Sequence, residues 1–185
     1  MTIFSPAPEQ KDLQQLTEAI SELDLEKVKS FFPRCNSIIN ERVKNPYLRS
    51  GIYTLISLLH LAVLVPTRDI SKVENIVGFL LQVPGIDPNL VESLQHDTPL
   101  HFAVQSGSPA LVKLLLNHPG TDKYITNNNG KTAAAKAKEL EREDLAQLIE
   151  NGRGSHLVSL LIQRTFPTKP KTSIPPENPY VSFKF

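Results

Sequence analysis

The sequence predicts an all-α solenoid, a row of about four helix–turn–helix units, and three observations lead to it. Thr98-Pro-Leu-His101 opens a segment whose apolar residues keep helical spacing: Leu100, Ala103 and Val104, then Leu111, Val112, Leu115 and Leu116 beyond Gly107. The frame recurs, with Thr132 standing 34 residues after Thr98 and Leu145, Ala146, Leu148 and Ile149 falling where Leu111, Val112, Leu114 and Leu115 fell. A fixed period of this kind marks a repeat architecture, in which each unit buries its apolar face against its neighbours. Two units also close alike, Val83-Pro-Gly-Ile-Asp87 and His118-Pro-Gly-Thr-Asp122, so turn chemistry and phase agree.

Residues 9–32 predict the first helix pair, closing the N-terminal end of the stack. Leu16, Ala19 and Ile20, then Val28, Phe31 and Phe32, match the apolar positions of the unit at 98–117. Residues 33–56 are about nine longer than the link between the last two units and are expected to form an enlarged finger loop or a short extra helix. In the second unit, 57–82, Ser57 to Val63 lies 41 residues before Thr98 to Val104, whereas Phe79 to Leu81 lies 35 before Leu114 to Leu116. Six extra residues therefore fall between, where Pro66 breaks the first helix and Asp69 or Ser71 caps the second.

In the third unit, 98–117, the Thr98 hydroxyl suits an N-cap, and Pro99 sits at the first helical position, where its missing N–H costs nothing. The fourth unit, 132–150, is degraded: Ala133 replaces the Pro, Ala135 the His and Glu141 the Gly. Terminal units of a solenoid diverge in this way because one face meets water. Gly152 and Gly154 end it, and Ser155 then opens a cap helix, 155–166, completing a repeat domain over 1–166. From Pro167 onward, five prolines in 19 residues exclude a regular helix or central strand, which leaves a Pro-rich tail, 167–185.

The opening motif, the Gly-containing turn and the leucine-rich second helix resemble the ankyrin-repeat family over residues 9–150, most fully over 89–150. The resemblance implies a protein-binding module without catalysis or cofactor. It also implies that His60 and His101 hydrogen-bond neighbouring turns and hold the units in register. Small, irregular ankyrin proteins include effectors that intracellular bacteria deliver into host cells, and the sequence is compatible with that setting.

Composition narrows the classes independently. With 20 basic and 19 acidic residues the net charge is +1, which argues against binding nucleic acid by broad phosphate neutralisation. No apolar run is long enough for a membrane helix. A single cysteine excludes an internal disulfide, and a monomer in a reducing cytoplasm is expected. Cys35 has no Cys-His signature around it, and dispersed histidines with one cysteine do not make a zinc site. Gly130-Lys-Thr132 echoes a phosphate-binding loop but lacks the upstream Gly, since Ile125 stands there. His96 and His118 read as solvated turn residues. The run Lys136, Lys138, Glu139, Glu141, Arg142, Glu143 reads as a solvated helix face. Two Pro-x-x-Pro spacings, at Pro167–Pro170 and Pro176–Pro179, fit a tail that packs or stays disordered, or a polyproline ligand.

In the family, partners lie in the groove made by finger tips and first helices. Carried over by position, the third unit offers Leu94, Gln95, Asp97, Phe102, Gln105 and Ser106, and the fourth offers Asn128, Asn129, Lys131, Lys136 and Glu139. Leu61 and Tyr53 hold the corresponding places in the second unit. Phe102 is either a groove anchor or packed on its neighbouring unit. The expected function is recognition of another protein, as adaptor or inhibitor. The competing readings are an enzyme using Cys35 or the histidines, and a subunit that self-associates through its apolar ends.

Overall fold

A computed structural model describes residues 8–32, 38–47 and 55–152. Cys35, Tyr53, His156, the expected cap helix at 155–166 and the tail at 167–185 lie outside them. The described chain forms four helix pairs: α1 (Pro8–Ser21) with α2 (Leu25–Ser30), α3 (Leu58–Leu64) with α4 (Ile70–Leu80), α5 (Pro99–Ser106) with α6 (Pro109–Asn117), and α7 (Ala133–Glu139) with α8 (Glu143–Asn151). The first helices, α1, α3, α5 and α7, pack in one row, and α2, α4, α6 and α8 pack in a second row behind it. This is the predicted all-α solenoid.

The caps follow the sequence signals. Asp24, Asp69, Ser108 and Thr132 each accept a backbone N–H three residues on, from Lys27, Lys72, Leu111 and Ala135. Asp69, and not Ser71, caps α4, and α3 stops at Leu64 just before Pro66. Leu16, Ile20, Leu59, Leu61, Ile76, Leu100, Leu111, Leu115 and Leu145 are wholly or almost wholly buried in one core running through all four pairs.

The described part of the segment linking the first two pairs begins with a 3-10 position at Ile38. It carries β1 (Arg42–Lys44), paired antiparallel with β2 (Leu55–Ser57) in the register Val43 opposite Ile56. The alternation of buried Val43 with exposed Arg42 and Lys44 is strand spacing. The described strands form a two-stranded finger, and β2 runs straight into α3 through Ser57.

One backbone feature recurs where the two helices of a pair meet. Leu23, Gly107 and Glu141 all adopt left-handed φ, at 56°, 73° and 58°. Glu141 therefore keeps the conformation that Gly107 provides without strain. Gly107 is required for a second reason: a Cβ there would lie 2.1 Å from Nη1 of Arg142.

Candidate partner-binding groove

The units are joined by two side-chain ladders, which fix what is left free to meet a partner. His60 Nε2 lies 2.9 Å from the Asp97 carbonyl, and His101 Nε2 lies 3.0 Å from the Lys131 carbonyl. Each Nδ1 in turn receives a backbone N–H, from Ser57 and Thr98, at 3.2 Å. A backbone N–H only donates and a carbonyl only accepts, so both rings are neutral with the proton on Nε2. Burial pushes the His60 ring down to about 4 and lowers His101 as well. Both nitrogens of each ring are engaged, as the register-holding role requires.

The second ladder runs through asparagines. Asn40 donates to the Gly85 carbonyl and accepts from Asp87 N–H, both at 2.8 Å, and Asn89 does the same with Gly120 (2.7 Å) and Asp122 (2.8 Å). The alike closing turns are the receiving ends of this ladder. His118 is half-buried there and its Nδ1 accepts the Gly120 N–H, so it braces its turn and is not simply solvated.

The fingers are tied at the tips too. Leu55 and Ser93 exchange two hydrogen bonds, and Asn128 donates from its backbone to the Gln95 carbonyl and from its amide to the Leu94 carbonyl. In the third finger the buried Glu92 carboxylate accepts the N–H groups of Leu94, Gln95 and Asp97. In the fourth, Asn127 does this work for Asn129 and Lys131.

Asp97 is 1% exposed. Its carboxylate accepts from Gln105 within the third unit and from Asn127 and Lys136, two contacts that join the third unit to the fourth. Asp97 and most of Lys136 are therefore interior groups, and Leu61 is wholly buried. Arg142 is not a solvated charge either: its guanidinium caps the Val104 carbonyl of α5 at 2.8 Å. The solvated part of the charge run is carried by Glu139, paired with Lys131, and Lys138, paired with Glu150. Lys123, which no sequence signal singles out, donates to the carbonyls of Ile149, Glu150 and Gly152 and closes the end of α8.

The residues left facing outward are Gln95, Gln105, Ser106, Asn128, Asn129 and Glu139, with Lys131 half-buried. Phe102 packs on its neighbouring unit and keeps part of its surface open. Its ring meets His60 edge-on at a centroid distance of 5.3 Å and 89°, and its remaining surface is half-exposed. It separates two depressions. One, of about 160 Å3, is lined by Asn45, Leu94, Gln95 and Gln105 on the finger side, and Leu94 is 52% exposed. The other, of about 340 Å3, lies toward Val65, Pro66 and Ile70. A larger, shallow depression of about 620 Å3 lies on the opposite face, across α2, α4 and α6. Its rim mixes Lys29, Glu74 and Lys113, and Phe79 in its wall already meets Phe32 edge-on.

Among the described residues no three His, Cys, Asp or Glu side chains are grouped to hold a metal, and no helix is long and apolar enough to cross a membrane. Residues 59–164 match the family model of ankyrin repeats in three copies. No curated protein matches the chain. Among solved structures it is similar to the ankyrin repeat domain of Bcl-3, described as a unique member of the IkappaB protein family, at 25% identity and a TM-score of 0.52. The match covers 73% of this chain and 54% of that one, so the chain spans about half the length of the structure it resembles.

Proposed function

The chain belongs to the ankyrin-repeat family, and from that premise we propose that it binds another protein through the groove between its fingers and inner helices, as an adaptor or an inhibitor. The observation that carries this reading is the division of labour around Phe102. The charged groups at the base of the groove, Glu92, Asp97 and Lys136, are buried and satisfied within the chain. What remains is the half-buried Phe102 ring, the exposed Leu94, the amides of Gln95 and Asn129, and the exposed part of Gln105. An apolar anchor within a polar rim is the usual anatomy of a recognition surface.

The test is capture of a binding partner from cell lysate on the immobilised full chain, repeated with Phe102→Ala, Gln105→Ala and Asn129→Ala. Capture is expected to fall by about tenfold or more with Phe102→Ala. If capture survives all three changes and fails on deleting 167–185, recognition belongs to the tail and the groove reading is wrong. A cytoplasmic setting, or the host cytoplasm for a delivered effector, belongs to the same proposal and is checked by imaging the tagged chain.

A further inference from the structure

Where the third unit meets the fourth, the corner at the helix ends is filled. Arg142, the residue before α8, lays its guanidinium over Gly107 and caps the Val104 carbonyl. Ser108 holds the matching place before α6, and its short side chain turns inward to the Leu111 N–H. No long side chain reaches from that place into the corner between the second and third units. The six-residue insertion widens the same corner by separating the end of α3 from the start of α4.

The resulting depression of about 340 Å3 is walled mainly by Val65, Pro66, Ile70, Val73, Phe102 and Leu111, with Thr67, Gln105 and Ser106 adding polar atoms. Ile70 is 41% exposed at the first position of α4, where the chain's other second helices begin with Leu25, Pro109 and Glu143. The charges around the corner are unbalanced. Asp69 is used as the α4 cap and pairs with Lys72, and Glu92 and Asp97 are satisfied internally. Arg68 in the insertion is exposed and makes no ion pair among the described residues.

We propose that this corner takes one aliphatic side chain of a partner protein, presented on a segment that carries acidic residues beside it. The inference rests on the groove reading and adds to it the chemistry of the partner. The predominantly apolar wall disfavours a charged side chain, and the volume suits a leucine, isoleucine or methionine. Arg68 then supplies the complementary charge that orients the segment.

The probe is a random-sequence peptide display library panned against the full chain, followed by anisotropy with a synthetic peptide of the enriched sequence. Enriched peptides are expected to share an aliphatic residue with Asp or Glu close to it. Ile70→Ser and Arg68→Glu should each weaken the synthetic peptide by about tenfold. A peptide with its acidic residue changed to Lys should recover binding to the Arg68→Glu protein. Ile70 and Arg68 are exposed, so both variants should keep the melting temperature, which confirms that the loss is local. Enrichment of basic or wholly polar peptides, no enrichment at all, or affinity unmoved by Ile70→Ser overturns the proposal. So does a change in molecular mass by light scattering on Ile70→Ser, which would make the corner a contact between copies of this chain. If binding answers to Leu94→Ser and Asn129→Ala but not to Ile70→Ser, the groove stands and the corner falls. If it answers to neither set, both fall.

Discussion

Lys136 of α7 and Asp97 of the preceding finger form an ion pair across two units, with side-chain exposures of 11% and 2%. Such a pair adds little over a well-packed apolar one, yet breaking it from one side is costly, because the partner charge is left buried. Lys136→Met is therefore expected to destabilise the fold by about 3 kcal/mol. The double change Lys136→Met with Asp97→Asn should recover most of that loss. Urea titrations of the four proteins, arranged as a cycle, measure the coupling.

The two neutral histidines make stability depend on pH. His60 has an ordinary value of 6.5 and a folded value of about 4. Between these values the unfolded chain binds more protons than the folded one, so stability falls as pH drops from 6.5 and levels off near 4. For His60 alone the loss is roughly 3 kcal/mol, and His101, also lowered by burial, adds in the same direction. The groups around the rings are Asp97, which favours the proton, and Arg42 and Lys136, which oppose it. Thermal melts from pH 7 to pH 4 should show this slope. His60→Gln with His101→Gln should flatten it while lowering the melting temperature at pH 7.

Glu141 and Leu23 share one strained conformation but should respond oppositely to glycine. Glu141 is exposed, so Glu141→Gly relieves a left-handed φ and is expected to stabilise by about 1 kcal/mol. Leu23 packs against the core, so Leu23→Gly loses more apolar contact than the relieved strain returns and destabilises. Denaturation midpoints of the two variants decide it.

Gly107→Ala should cost about 2 kcal/mol, from left-handed φ and from displacing the Arg142 guanidinium that caps Val104. Arg142→Ala removes the obstacle, so the double variant should be more stable than the sum of the single losses implies. Strict additivity would show that Arg142 does not occupy the corner in solution.

Much of the fold is legible because its signals are local. Thr98 with Pro99, Asp69 after Pro66, and the alike turns at 83–87 and 118–122 each act within a few residues. Glu141 is legible by register alone, standing 34 residues after Gly107. The interior of the groove is not local. Asp97 and Lys136 are 39 residues apart, and a charge at either position reads as solvated until the next unit is stacked on it. Arg142 and Lys123 cap carbonyls of elements distant in sequence, which no periodicity reveals. Glu92 and Asn127 brace their fingers with different side chains, so comparison of the two units hides their shared task.

The contacts made to the finger tips have a consequence for how this surface changes over time. His60 and His101 hold the bases at the Asp97 and Lys131 carbonyls, and Asn128 holds the tip through the carbonyls of Leu94 and Gln95. Every one of these acceptors is main chain, indifferent to which side chain its residue carries. The side chains at 94 and 95 can therefore be exchanged without disturbing what keeps the finger in place, and new binding preferences can arise there while the scaffold stays constant.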